Sequence, residues 1–453
     1  MKLSLSTVSL LCSFLLMLSC GNGSGSGSGA ETAAGDEEEG SPNVLLLIID
    51  TLRADHLSCY GYHRETSSCI DSLAASGTRW KNCVAQAPWT PASVASIMSG
   101  LTVREHAVGR HSDGDHGLAP DMPVMSVLFS EDGYRTCGIF NVAHFTVLHG
   151  YARGFDHHTC NEMGDLPAEV SINEFLEWLQ TSDREKPFLA VLHLFDPHHP
   201  YDPPDGYRNL YLADDTVTST RWQISEDGTE VLHPEHLEHY LAWYDGEIRY
   251  LDDQLSLLFR NLREMGYGEN TIVVLAADHG EEFLERGWVE HGHQYHQEMI
   301  HVPLIASGPG IPPGEVVEEY VGNFDILPTL AALCGIETEA VFSGVDLLGD
   351  ETLEPRPIPS GRQMAIGRML DGTPVCAVTF DGFKGVVISR EETEEYFMFD
   401  LLADPGETVP LPADSNMVRM LDYYRSTPAL YTPRPLRELE QSTTDALRDL
   451  GYF

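Results

Sequence analysis

From Asn43 onward, short apolar runs bounded by Gly, Pro, Asp and His alternate with amphipathic stretches. The clearest runs are Val44 to Ile49, Thr136 to Phe140, Phe188 to Phe195, Thr271 to Ala277 and Val302 to Ala306. Their near-continuous hydrophobicity predicts strands buried on both faces. That is what a parallel sheet with helices above and below requires, an α/β architecture. Leu251 to Met265 carries apolar residues at helical spacing with charges on the other face, which predicts a covering helix. Around Pro355 to Arg362 the texture becomes Pro-rich, and three hairpin-like pieces follow: Val375 to Phe380, Gly385 to Ser389 and Glu395 to Phe399. With a helical tail ending at Phe453, they predict a smaller C-terminal α+β subdomain over 351–453, packed on a main domain over 43–350.

The first residues read differently. Lys2 precedes an apolar run from Leu3 to Leu18, too short to span a bilayer and suited to a signal peptide over 1–20. Its end, Leu16-Met17-Leu18-Ser19-Cys20, resembles a bacterial lipobox, in which Cys20 is acylated and becomes the new N-terminus. An ordinary cleaved signal peptide is the alternative. The Gly/Ser repeat from Gly21 to Gly29 and the acidic run Asp36-Glu37-Glu38-Glu39 make 21–42 a solvated, flexible tether. The expectation is an exported protein of the periplasm or cell envelope, whose contact with a membrane is an N-terminal lipid anchor.

Composition narrows the function. The 27 Lys and Arg against 70 Asp and Glu give a formal net charge of −43, while 42% of residues are hydrophobic, so the chain can bury a core despite its acidity. Such a field repels polyphosphates, which argues against nucleic acid as a partner. The only lysines are Lys2, Lys81, Lys186 and Lys384, a composition suited to salty surroundings. Beyond Cys12 and Cys20, seven cysteines remain without a CxxC pattern, so a structural zinc knuckle is not expected. Cys59 and Cys69 are the nearest in sequence, but pairing is open.

Three of the apolar runs end in chemistry. Val44 to Ile49 leads into Asp50, Phe188 to Phe195 into Asp196 with His198 and His199, and Thr271 to Ala277 into Asp278-His279. Ligands bind beyond the carboxyl ends of parallel strands, so these groups are expected to converge on one edge. Carboxylates placed there are costly unless paired, and a divalent cation is the simplest partner, with Asp50, Asp278 and His279 as first candidates. An Asp after a strand also serves as a helix N-cap, which leaves each acid a structural role. The segment from Thr90 to Leu101 opens with Thr90-Pro91, a strong helix start with Thr90 at the N-cap. A helix start suits a tetrahedral anion, and a metal-bound hydroxyl there can become a nucleophile.

The stretches Asp50-Thr51-Leu52-Arg53-Ala54-Asp55-His56, Thr90 to Leu101, Gly154-Phe155-Asp156, Asp196-Pro197-His198, Ala277-Asp278-His279-Gly280-Glu281, Val302-Pro303-Leu304 and Asp325-Ile326-Leu327-Pro328-Thr329 occur in this order. With Asp404-Pro405-Gly406-Glu407 near the end, the chain resembles the sulfatase family of the alkaline phosphatase superfamily. The resemblance implies that family's fold, an α/β architecture with a mixed, mostly parallel sheet sandwiched by helices, and an ester hydrolase. It also exposes departures. Thr90 stands where the family carries the Cys (or Ser) that becomes formylglycine, Val94 stands at the Arg position, and Thr51 replaces the second of two paired acids. No Lys-bearing counterpart lies near Asn141 to His144.

What remains resembles the single-metal set of the family's phospho-transferring relatives: Asp50, Thr90, Asp278 and His279 as ligands of Ca, Mn, Mg or Zn, with Thr90 also the nucleophile. His198 and His291 would then act in catalysis, and His198, His291 and His293 in holding substrate; His296 is a further candidate. A second ion on Asp196, His198 and His291 is a weaker alternative. The implied substrate is an anionic sulfate or phosphate ester, with a glycan as one option. Two other readings stay open: a phospho-group transferase acting on glycans or lipids, and a catalytically silent glycan-binding protein.

Overall fold

A computed structural model describes residues 40–111, 114–212, 223–224, 230–231, 236–349, 353–361, 374–389, 393–432 and 434–435. The signal-peptide, Cys20 and tether assignments, and the helical tail to Phe453, lie outside these residues. Residues 41–453 belong to one compact unit.

Its main sheet contains β1 (Asn43–Ile49), β2 (Thr78–Val84), β3 (Arg135–Phe140), β4 (His157–Cys160), β5 (Phe188–Leu194), β6 (Thr271–Ala277), β7 (His301–Ser307) and β8 (Glu315–Gly322), in the order β8-β2-β7-β6-β1-β5-β3-β4. Every residue of β1, β3, β5 and β6 is buried, as expected of strands covered on both faces. The principal helices are α1 (Ser68–Ser76), α2 (Thr90–Ser99), α3 (Ala168–Thr181), α4 (Leu237–Glu264) and α5 (Ile326–Leu333). α4 packs on α1 and α3, and α2 packs on α5.

β7 alone runs antiparallel to both its neighbours, β6 and β2. The chain that leaves β6 therefore returns to the sheet at the same edge, so the segment 278–300 stands over the carboxyl ends of β1, β5 and β6. β2 is antiparallel to β7 as β6 is, so it too ends at that edge and delivers the chain to α2.

The sequence predicted α4 only from Leu251, yet it begins at Leu237. Seven consecutive residues from Ala242 to Ile248 are buried, which erases the amphipathic signal over that stretch. Gly246 sits where Pro203 and the Tyr207 carbonyl approach too closely for a side chain to enter without shifts.

The C-terminal part forms an antiparallel sheet of β9 (Ile358–Gly361), β10 (Pro374–Phe380), β11 (Phe383–Ser389), β12 (Glu394–Asp400) and β13 (Leu411–Pro412). α6 (Ser415–Ser426) packs on it around a small core of Cys376, Val378, Val387, Met417, Leu421 and Tyr424. The seven cysteines of the described residues are free thiols, Cys59 and Cys69 among them.

Candidate active site

β1 and β6 are parallel neighbours with Ile49 opposite Ala277, so the residues that follow, Asp50 and Asp278, emerge at one level. Both are fully buried. Asp278 Oδ1 accepts from the N–H groups of His279 (2.8 Å) and Thr51 (3.2 Å). By contrast, Asp278 Oδ2 and both oxygens of Asp50 are buried without a hydrogen-bond partner among the described residues. Orphaned carboxylate oxygens of this kind are costly, and a cation is what they lack.

His279 completes the set. Its Nδ1 lies 2.9 Å from the Gly280 carbonyl, which assigns the proton to Nδ1 and leaves Nε2 as the acceptor. Nε2 lies 3.0 Å from Thr90 Oγ1, 3.4 Å from Asp278 Oδ2 and 3.8 Å from Asp50 Oδ1. Asp50, Asp278 and His279 each offer an atom within 4.8 Å of the others. The donor set is two carboxylates, an imidazole and a hydroxyl, which fits a divalent cation of mixed O/N preference.

The titration of these groups follows from the missing charge. Burial, then repulsion from Asp50, pushes the Asp278 carboxyl up to about 6. Burial also opposes ionisation of Asp50, but the histidines His198, His193 and His279 outweigh it and hold the group below the usual carboxylate range. Burial lowers His279, and the attraction of Asp278 and Asp50 overcomes that and raises it.

Thr90 was expected at the N-cap of α2, but Trp89 holds that place in extended backbone and Thr90 is the first helical residue. The reason is visible in the bond to His279: the Thr90 hydroxyl is directed at the site. Ser93, one turn on, donates to the Asp278 carbonyl at 2.5 Å and fastens α2 to the end of β6. Val94, in the place of the family Arg, is fully buried.

The histidines divide. His198 is buried, stacks on Phe195, and pairs Nδ1 with the His199 carbonyl at 2.5 Å. The His291 ring lies 4.3 Å from that of His279 and 5.1 Å from that of His198, which brings all three together. His293 is held at the rim, with Nε2 3.2 Å from Glu282 and its ring 5.7 Å from Trp288. His296 points elsewhere, with Nδ1 3.0 Å from Glu407. Burial pushes His198 down to about 4, and burial followed by repulsion from His279 lowers His291 further below its ordinary value. Asp196 binds the N–H of Ala168 at the start of α3 at 2.8 Å, the capping role open to such an acid.

Two residues at the site escaped sequence reasoning. Glu281 is fully buried, with Oε1 3.3 Å from His291 Nδ1 and Oε2 accepting from the Tyr201 hydroxyl at 3.2 Å, and burial lifts its carboxyl to about 7. His193, on β5, lies 3.4 Å from Asp50 Oδ2. Its signal was a lone polar residue inside an apolar run.

Comparison with known proteins agrees with this geometry. The family model described as Sulfatase matches residues 42–336. A Δ4,5-hexuronate-2-O-sulfatase of Bacteroides thetaiotaomicron is 25% identical, with 91% of this chain and 93% of the relative covered. The low-salt glycan biosynthesis sulfotransferase Agl7 of Haloferax volcanii is 26% identical over 74% of this chain and 71% of its own. Among solved structures, the phosphonate monoester hydrolase of Agrobacterium radiobacter superposes with a TM-score of 0.68 at 20% identity, covering 85% of this chain and 94% of that one. The order of strands, the acids at their carboxyl ends and the family match over most of the chain lead to one assignment: the protein belongs to the sulfatase family of the alkaline phosphatase superfamily.

Proposed function

We propose that the protein is a metal-dependent hydrolase of sulfate or phosphate esters that uses Thr90 where related enzymes use formylglycine. The observation that carries this reading is the convergence of three unpartnered carboxylate oxygens and His279 Nε2 beside the Thr90 hydroxyl. Asp50, Thr90, Asp278 and His279 would hold Mn, Mg, Zn or Ca. A divalent cation there would lower the pKa of the Thr90 hydroxyl and offset charge on the transferring group.

Thr90 Oγ1, its proton given up to water, then attacks sulfur or phosphorus in line, and the bond to the ester oxygen breaks as the threonyl ester forms. The leaving oxygen takes a proton from His291, and Glu281, whose carboxyl titrates near neutrality, resupplies it through Nδ1. Water attack on the threonyl ester releases the inorganic anion and restores the hydroxyl. His198 supports the transferring oxygens from the other side of His291.

The substrate class this site favours is an esterified glycan. Trp288 is 49% exposed beside His293 and offers a sugar face an aromatic surface at the rim. The resemblance to a hexuronate sulfatase points the same way. A second reading, transfer of the group to an acceptor sugar, is favoured by the likeness to a sulfotransferase of glycan biosynthesis, and the same threonyl ester would serve it.

Thr90→Ala tests the proposal. Against a panel of aryl sulfates and phosphate mono- and diesters, the variant should lose at least about 10³-fold in turnover while remaining folded. Full activity in that variant would exclude a threonine nucleophile, and release of free anion alone in the presence of acceptor glycans would exclude transfer. We also propose that Cys20 is acylated and holds the protein to a bacterial membrane, a reading supported by its sequence context. Incorporation of labelled fatty acid should disappear in Cys20→Ser. Among the described residues, no helix is long and apolar enough to cross a membrane.

A further inference from the structure

β5 carries one polar residue in the sequence Phe-Leu-Ala-Val-Leu-His-Leu, and it is wholly buried. Leaving a buried polar group unsatisfied is costly, so an aliphatic residue would serve the strand better there. Both ring nitrogens of His193 lack a hydrogen-bond partner among the described residues, and its ring packs against Phe145 at 4.9 Å. Packing alone therefore does not explain the choice of histidine.

Strand register explains where the ring goes. β1 and β5 are parallel, with Ile48 opposite His193. Side chains two apart share a face, so Asp50 stands on the same face as Ile48 and His193, one step nearer the site. The result is the 3.4 Å approach of His193 Nε2 to Asp50 Oδ2, whereas Oδ1 is the oxygen nearer His279, at 3.8 Å. His193 is not one of the three residues whose ligand atoms lie mutually within 4.8 Å. It approaches Asp50 from the neighbouring strand, outside that set.

Resting on the metal reading above, we infer that His193 is a positioning residue for Asp50, its Nε2 facing Oδ2 at 3.4 Å so that Oδ1 is presented to the cation. Outer partners that orient a ligating carboxylate contribute about 10- to 100-fold in metal affinity when they are lost.

The test is calorimetric titration of the metal-stripped full-length protein with Mn²⁺, which reads binding without turnover. His193→Leu, similar in volume and unable to donate, should weaken Mn²⁺ binding by about 10- to 100-fold. His193→Gln keeps a donor near Nε2 and should bind within about threefold of the wild type, a small share of that loss. With Mn²⁺ saturating, kcat should be retained in both. Wild-type affinity in His193→Leu, equally poor affinity in His193→Gln, or a kcat deficit that excess Mn²⁺ does not repair would each overturn the inference. Asp50→Asn separates the two levels. If it too binds Mn²⁺ normally, the metal reading itself fails; if it abolishes binding while His193→Leu does not, only the role of His193 falls.

Discussion

Among the described residues, two places gather acids and histidines closely enough to hold an ion: Asp50, Asp278 and His279 at the strand ends, and His296, Glu298 and Glu407 where the C-terminal sheet meets the segment 278–300. The second brings its own cations. Lys384, fully buried on β11, pairs with Glu407 and donates to the Tyr295 carbonyl, and Arg286 lies 3.1 Å from Glu298. Glu407 also accepts from the Gln297 N–H at 2.8 Å. The first cluster has no lysine or arginine among the groups that perturb Asp50 and Asp278 most strongly. A buried carboxylate needs opposite charge. Where the chain supplies it, the cluster is a strut; where the chain withholds it, the cluster is the one we propose as a receptor for a cation from solution.

Breaking the receptor should have the largest effect. Asp278→Asn is expected to lower activity by more than about 100-fold, since loss of even an outer partner of a metal site costs 10- to 100-fold. In the metal-free protein the same change should leave the unfolding midpoint unchanged or raise it, because it removes one of two like charges. A metal-free variant that unfolds more easily than the wild type would contradict the comparison.

Breaking the strut should invert that pattern. Lys384→Met strands Glu407 in the interior and is expected to cost about 3–5 kcal/mol of stability, read by urea unfolding. Metal bound per chain should not change. Equal losses of metal and stability would mean that the two clusters are not separate in role.

Acid sharpens the contrast by a smaller amount. Burial opposes ionisation of Glu407, but Lys384 and His296 outweigh it and bring the carboxyl down to about 2. A depressed carboxyl contributes stability above its unfolded pKa and loses it as pH falls towards the folded value. From the usual 4.5 to about 2, the linked contribution is about 3 kcal/mol. The stability gap between wild type and Glu407→Gln should therefore be constant above pH 5 and narrow steadily below about pH 4.5. A gap independent of acid would show that Glu407 is not ionised in the folded protein.

The receptor was legible in the sequence because each of its acids follows an unbroken apolar run, and a strand end is a local signal. Thr90 was legible through Pro91, although its hydroxyl turned out to face His279 instead of capping α2. The strut was not legible: Lys384, Glu407 and His296 meet only through the packing of β11 and the loop after β12 against the segment 278–300. His193 was hidden for a different reason. Its run reads as a buried strand whatever the sixth residue is, and only the pairing of β1 with β5 sets it beside Asp50. The first half of α4 was masked by burial on more than one side.

The reversal of β7 has a consequence for how this site can change over generations. Because both feet of the segment 278–300 stand on one sheet edge, it is an arch and not a crossover, and no strand of the main sheet depends on its length. Closing a longer arch costs little, about 0.6 kcal/mol for each doubling. His291, His293 and Trp288 ride on its middle, while Asp278 and His279 sit at its first foot and Asp50 and Thr90 come from other parts of the chain. Insertion or deletion beyond His279 can thus reshape the proposed substrate wall while the proposed cation floor stays fixed, so that substrate range and reaction chemistry are able to evolve on separate schedules.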